Sequence, residues 1–475
     1  MPKEKNSAEI LPPRLANNPS WDVIVTRLNP LLSFFNAPGK ITGRTYEIQI
    51  DTSRNFTSLN LKTYQNLKET DPFVTALKVP ATDTLRDKHL YYWRVRSVTP
   101  ARKSDWAVSR FLVDAKSDTA FMNLVRVKIK EAKASNGYNV KNITDWDDPG
   151  LLTFWQSPPP GEEHQWIQFD LGRETAVSRA WILSNFNDRD GWLKDFVLQA
   201  SFDGKKWRAI SETETKNNDT FRNILDFAPV TARYFRLLIK SFTGYAAQIN
   251  EIILYSPGHP PLPKVPEEDY VLIIGNEHNG FTFTELAKYV EALPLNLKTV
   301  VVPCYEASLE MLMKLNPQPV AVILSGNNAD YPNEPMFEYN GEFEIIRSTN
   351  LPLLGICAGH QFLAAAYGYT RIRSMGWSDI SAMEPRAKMT RIKILKRDPI
   401  FEGMSDNFTA PEVHSWAVAE PAEEFEVIAA STYTQVQKST KRFIYGTQFH
   451  PEIKVPYNHG KKLIENFLKM ALAKK

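Results

Sequence analysis

Cysteine is almost missing from this chain: its 475 residues hold 2, Cys304 and Cys357. A disulfide framework or a cysteine zinc site needs more thiols at set spacings, so both are excluded and at most one bridge stays open. Long apolar runs are missing too. None approaches the roughly 20 residues of a membrane helix, so no membrane span is expected. An excess of one charge is also lacking, since 57 Lys and Arg stand against 54 Asp and Glu. That balance removes the electrostatic argument for nucleic acid or an anionic membrane as a partner. The opening "MPKEKNSAEILPPRLANNPSW" carries charge without an apolar centre. It does not read as a signal peptide, so the chain as written reads as cytoplasmic, with a signal trimmed from a longer precursor left open. No GxxxxGK[ST] loop occurs to cradle a nucleotide phosphate, and there are no internal repeats or low-complexity tracts.

What is present divides the chain. At about 100 to 200 residues per domain, the length predicts roughly three. After an extension over residues 1–19, the region 20–115 is strand-like. In "YEIQID" Tyr46, Ile48 and Ile50 alternate with Glu47, Gln49 and Asp51, and in "YYWRVRSV" Trp93 and Val95 oppose Arg94 and Arg96. That period gives one buried and one wet face, which predicts a small antiparallel sandwich. A second all-β block covers 116–257. There "QWIQFDLG" and "ARYFRLLIK" alternate, and "FVLQASFDGKKW" places Asp203-Gly204 as a turn between strands. A proline-rich stretch at 258–268, within "SPGHPPLPKVPEED", reads as a stiff linker. From 269 to 475 the period changes again. Continuous apolar runs such as "YVLIIGN" and "PVAVILSG" alternate with helical patterns such as "FTFTELAKYVEAL", which predicts βαβ units and a mostly parallel sheet covered on both faces.

Chemistry concentrates in that last region. "LPLLGIC" reads as a buried strand and "AGHQFLAAAYG" as a helix ending at Gly368. Cys357 therefore falls on a sharp strand-to-helix turn, with Gly355 and Gly359 allowing neighbouring chain to approach. A thiol at a helix N-terminus meets partial positive charge, which favours thiolate. A nucleophile needs a base, and the base needs an orienting group. "YGTQFHPE" offers both, with His450 at the end of a strand and Glu452 able to reach the far ring nitrogen. A lone cysteine in an apolar strand is usually a small core residue, and Cys304 is read that way. The two segments together, in a βαβ context, turn the reading of Cys357 to catalysis. His360 should point about 100 degrees away from the nucleophile and serve packing, and His414 should be structural or peripheral.

These motifs carry three resemblances. "YEIQIDTSRNFTS" and "LYYWRVRSVTPARKSDWAVSRFLV" resemble fibronectin type III domains, usually spacers. The order of strands in the second block resembles the discoidin or coagulation-factor C-type jelly roll, whose members commonly bind carbohydrate or surface ligands. Trp155, Trp192 in "NFNDRDGW", and Tyr245 are its candidate ligand residues, either as stacking faces or simply as caps of the sandwich. The region 269–475 resembles the class I, triad-type glutamine amidotransferase domain through "GICAGHQ", "GTQFHPE", "DPIFEGM", "VHSWAV", "FEVIAAS" and "NHGKKLIENFL". That resemblance implies a flavodoxin-like α/β fold with Cys357 as nucleophile, His450 as base and Glu452 as its orienting acid. It implies an oxyanion hole from the backbone of Ala358 and of "LSGNN", where Gly326 is followed by Asn327 instead of the usual second glycine. Gln361 would hold glutamine, or else face solvent, and Gly376 in "MGWS" would contact the substrate's amino-acid end.

The implied substrate is glutamine or a γ-glutamyl small molecule, with no metal and no cofactor. Ammonia would pass to a separate synthase subunit, since no acceptor-activating domain is recognisable here. A free-standing γ-glutamyl hydrolase and a catalytically silent carbohydrate-binding or adhesion protein remain the alternatives. Fibronectin-like and discoidin-like modules usually occur outside the cytoplasm, which pulls against an intracellular amidotransferase.

Overall fold

The computed structural model describes residues 12–15, 22–25, 28–37, 41–69, 74–87, 89–113, 124–144, 153–159, 161, 164–184, 191–218, 221–277, 281–327, 334–367, 371–374 and 388–475. In the first body a sheet of Arg14–Leu15, Leu31–Phe35 and Val74–Lys78 faces a sheet ordered Asp22–Val25, Ala107–Val113, His89–Val98, Thr45–Asp51, Lys62–Lys68. Tyr46, Ile48, Ile50, Trp93 and Val95 are buried together with Leu32 and Phe34, so the two-residue period of the sequence becomes the core. On the opposite face Arg94 and Arg96 stack on Trp106, 4.3 and 4.1 Å from its ring centre. The expected antiparallel arrangement breaks at one edge, where Asp22–Val25 runs parallel to Ala107–Val113. Those strands are the two ends of the module rather than arms of a hairpin, and only a hairpin imposes antiparallel pairing.

The second body is built on two long antiparallel strands, Gln165–Ser184 and Arg222–Phe242. Register shifts between Asp170 and Thr175 and between Val177 and Arg179 bend them. Both halves of each strand then serve one core, which holds Ile167, Phe169, Ile182, Leu225, Phe235 and Leu237. Asp203 and Gly204 lie in the connection from Leu193–Ser201 to Arg208–Ala209, where Asp203 Oδ1 accepts from the N–H groups of Lys205 and Lys206, both at 2.8 Å. Residues 258–268 form neither helix nor strand, and Val265 among them packs on the core of the next body.

That third body holds a nine-stranded sheet ordered Lys298–Pro303, Tyr270–Gly275, Ala321–Leu324, Leu353–Ile356, Ile444–Thr447, Thr434–Ser439, Phe425–Ala430, Lys388–Ile394, Asn407–Glu412. The first five strands are parallel, and the remaining four add on antiparallel. The parallel half matches the continuous apolar runs, while the antiparallel half has no crossover helices to impose parallel pairing. Tyr270, Leu272 and Ile274 go to one core and Val271 and Ile273 to the other, as a strand covered on both faces requires. Helices Leu309–Lys314, Asn340–Ser348 and Ala358–Ala365 cover the first face, and Phe281–Glu291 and Lys462–Leu472 the second. Among the described residues no helix is long and apolar enough to cross a membrane.

Candidate active site

Ile356 ends a central parallel strand and Ala358 begins a helix, so Cys357 alone must carry the reversal. It does so at φ 51° and ψ −101°, a region that residues with a side chain rarely occupy. Close approach of the chain makes the turn possible. A Cβ on Gly355 would come within 2.5 Å of the Gly359 carbonyl, and one on Gly359 within 2.5 Å of the Leu324 carbonyl oxygen. The Cys357 N–H donates to the Thr447 carbonyl at 2.8 Å and the Gly359 N–H to that of Ser325 at 3.1 Å. Both neighbouring strands thus hold the elbow, which leaves the thiol at the carboxyl ends of the parallel strands.

His450 arrives from the adjacent strand Ile444–Thr447, with its own N–H held by the Pro411 carbonyl at 2.9 Å. Its Nδ1 lies 2.7 Å from Glu452 Oε1, and the ring shares with Cys357 the space over Gly326. All three side chains are buried. Burial by itself would discharge the imidazole, but the Glu452 carboxylate and then Cys357 outweigh it and hold the His450 pKa well above its ordinary value. A thiol, an imidazole and a carboxylate therefore lie together at the elbow.

Two backbone segments flank the thiol. A Cβ on Gly326 would sit 3.0 Å from His450 Cε1 and 3.3 Å from Cys357 Cβ, so the absence of a side chain keeps the space before the sulfur open. Next to it, Asn327 Nδ2 lies 3.3 Å from the Tyr339 hydroxyl. On the other side, Ala358 is the first residue of its helix, where an N–H has no carbonyl in the preceding turn to meet.

Gln361 lies on the helix that begins next to Cys357. It is buried and donates to the Trp416 carbonyl at 2.5 Å and to Gln448 Oε1 at 3.2 Å, bracing the wall behind the thiol. Gly376 and Gly368 lie outside the described residues. His360 is fully buried beside Gln437, and burial brings its pKa down to about 3, so it is a neutral packing group. The His414 side chain is 3% exposed, with Nδ1 2.9 Å from the Trp416 carbonyl. Cys304 is buried, and desolvation, followed by the Glu338 charge, raises its pKa well above normal. Among the candidate ligand residues of the second module, Trp155 is fully buried with Nε1 donating to the Asn136 carbonyl at 3.1 Å. Trp192 is buried against Phe221 at 5.7 Å. Neither ring offers a face to a ligand, because Trp155 fills the sandwich core and Trp192 a separate cluster that also holds Phe337, whereas Tyr245 is 67% exposed.

Sequence reasoning passed over two neighbours of the thiol. Gln448 Nε2 lies 3.9 Å from Cys357 Sγ, and the Val413 carbonyl 3.7 Å from it. Gln448 sits inside the quoted "GTQFHPE", so its place was available from the motif. Val413 likewise opens the quoted "VHSWAV", whereas Tyr339, which reaches the site only through Asn327, comes from a segment with no local signal. Among the described residues no group of three or more His, Cys, Asp and Glu could hold a metal ion.

Residues 280–471 match the family Glutamine amidotransferase class-I, and residues 128–252 match the F5/8 type C domain. Over 179 residues the chain is 32% identical to one subunit of the glutamine-hydrolyzing GMP synthase of Methanosphaera stadtmanae, covering 37% of this chain and 86% of that protein. The corresponding GMP synthase subunit from Saccharolobus solfataricus is 36% identical over 125 residues, 26% of this chain and 62% of that one. Among solved structures, a chitosan-binding module from a Paenibacillus chitosanase/glucanase is 23% identical at a TM-score of 0.24, covering 27% of this chain and 97% of that one.

Proposed function

The chain belongs to the class-I glutamine amidotransferase family, and from that premise we propose that its C-terminal domain releases ammonia from glutamine through a γ-glutamyl thioester. The observation that carries this reading is Cys357 on its elbow beside His450, whose Nδ1 is 2.7 Å from Glu452. The Cys357 thiolate attacks the side-chain amide carbon, forming a C–S bond and an oxyanion. Backbone at Ala358, Gly326 and Asn327 flanks the place where that charge develops. The C–N bond then breaks as His450 donates the proton that lets ammonia leave. Water, deprotonated by His450, adds to the thioester, and its collapse returns the thiolate and frees glutamate. Glu452 orients the imidazole and favours its charged form. Glutamine and water become glutamate and ammonia, with no change of oxidation state.

The remaining parts follow as further proposals. Residues 20–115 act as a fibronectin type III-like spacer, and residues 116–257 as a discoidin-like module for a carbohydrate or cell-surface ligand, with exposed Tyr245 as its candidate stacking ring. Residues 269–475 form the flavodoxin-like amidotransferase domain after the linker at 258–268. A separate synthase subunit is the recipient this reading implies for the ammonia.

The test is release of ammonia and glutamate from L-glutamine and from a set of γ-glutamyl amides, by the intact chain and by Cys357→Ala. Turnover of glutamine that falls by about 10⁴-fold or more in the variant supports the reading. Turnover that survives the substitution sinks it. A strong preference for γ-glutamyl peptides moves the reading to a free-standing hydrolase. Absence of turnover together with glycan binding by the intact chain favours the silent scaffold.

A further inference from the structure

The short segment Met336–Tyr339 is where the discoidin-like module and the thiol site meet. Phe337 is buried in a cluster with Trp181, Trp192, Phe221 and Tyr255 of the module. Its ring centre is 5.6 Å from that of Tyr255 and 5.1 Å from the Arg179 guanidinium carbon. Next to it, the Glu338 carboxylate has no exposed surface. One oxygen accepts from Arg126 Nε and from the Tyr255 hydroxyl, both at 2.6 Å, and the other accepts from a second Arg126 nitrogen. Burial opposes the charge on Arg126, and Glu338 more than compensates for it, so the guanidinium stays charged. Such a desolvated pair contributes little net adhesion but tolerates only one geometry. Its consequence is a fixed position for the segment.

Tyr339 is the next residue, and it turns the other way. Its ring packs on Phe362 of the nucleophile helix, 4.6 Å between centres. Its hydroxyl lies 3.3 Å from Asn327 Nδ2, 3.4 Å from the Asn276 carbonyl and 3.4 Å from Glu334 Oε2. Asn276 in turn ties down Ser325: its backbone N–H donates to Ser325 Oγ and its Nδ2 to the Ser325 carbonyl, both at 2.9 Å. Ser325, Gly326 and Asn327 are thus held from Tyr339 and Asn276, and Gly326 lies against Cys357 and His450. Three consecutive residues carry the contact from the β-module to the wall facing the thiol.

We propose that the discoidin-like module is a working part of the amidotransferase site: through Arg126, Tyr255 and Glu338 it fixes Tyr339, a positioning residue that holds Asn327 and Gly326 beside the thiol. The catalytic consequence rests on the glutaminase reading above; the mechanical coupling does not. On this view the module is needed for turnover whatever ligand it takes elsewhere.

The test compares the full chain with Tyr339→Phe, with Tyr255→Phe and with the paired change Arg126→Met and Glu338→Gln, which removes both charges together. Hydrogen–deuterium exchange is followed at the amides of Ser325 to Asn327, with kcat and KM for glutamine measured beside it. Alkylation of Cys357 by iodoacetamide, which requires the thiol but no oxyanion hole, serves as the control. Exchange at those amides is expected to rise about tenfold, and kcat to fall about tenfold, in each variant. KM should move by less than about twofold and the alkylation rate should stay at the wild-type value. Unchanged exchange at Ser325 to Asn327 in Tyr339→Phe and in the paired variant overturns the proposal whatever the activity. So does an alkylation rate that falls in parallel with kcat, because the variant has then collapsed the whole site. A wild-type chain that turns over no glutamine removes the glutaminase reading instead, and the exchange result still decides the coupling.

Discussion

The first sandwich meets the amidotransferase domain through Lys78 and Glu423, 3.5 Å apart with side chains 67% and 68% exposed, whereas the discoidin-like module meets it through Arg126 and Glu338, 19% and 0% exposed. The two contacts use the same pair of charges and differ in solvent. In water the attraction is screened and is offset by the entropy of holding two long side chains, so an exposed pair is worth at most about 1 kcal/mol. Out of water each charge becomes intolerable without the other, so the buried pair acts as a geometric constraint. Phe337, inserted among the module's aromatic rings, adds apolar burial to the second contact. The exposed pair therefore ties the first module only lightly, while the buried one builds the other into the domain.

The largest effect that sharpens this contrast lies at the thiol itself. Glu452→Gln is expected to lower kcat for glutamine by about 10³-fold, because the imidazole loses the carboxylate that orients and charges it; steady-state kinetics would measure this. Phe337→Ala should destabilise the joined module and domain by about 3 to 5 kcal/mol, read from the midpoint of urea unfolding. A loss below about 1 kcal/mol would break the comparison by making both junctions alike. Gly359→Ala, which drives a Cβ into the Leu324 carbonyl, should cost about 1 to 3 kcal/mol by the same measurement and slow alkylation of Cys357. Lys78→Ala should change stability by no more than about 0.5 kcal/mol and leave glutamine kinetics untouched.

The smallest expected effect is a slope of stability with pH. His450 has its pKa raised in the folded chain, so the stability it contributes is fully present below its unfolded value of about 6.5 and is lost as pH rises through the folded one. Urea midpoints between neutral and alkaline pH should therefore decline, and His450→Gln should flatten that part of the decline. Lys78→Ala should leave the slope as it is, since the dependence belongs to the thiol site.

Much of the thiol site was legible because its geometry is local. Gly355 and Gly359 bracket Cys357 within two residues on either side, and a turn that tight needs bare backbone at both places. His450 and Glu452 are two residues apart, so a single short segment brings ring and carboxylate to 2.7 Å. The alternation of Ile167, Phe169 and Leu171, or of Tyr46, Ile48 and Ile50, likewise declares a buried face within one strand. For these elements the residues themselves determine the outcome through sterics and period.

Other features have no local signature. Trp155 and Trp192 stay open between ligand faces and caps of the sandwich until the strands around them close and bury both. The antiparallel half of the last sheet depends on which strands find each other, which periodicity does not encode. Arg126 meets Glu338 across 212 positions of chain, and nothing near either residue announces the other. The amino-acid sequence alone determined that a glycine-bracketed thiol, an imidazole and a carboxylate would be available in an α/β domain following two β-modules. Only the tertiary structure decided that one module's arginine and tyrosine would set the backbone facing that thiol, because long-range packing places charges side by side that the chain keeps far apart.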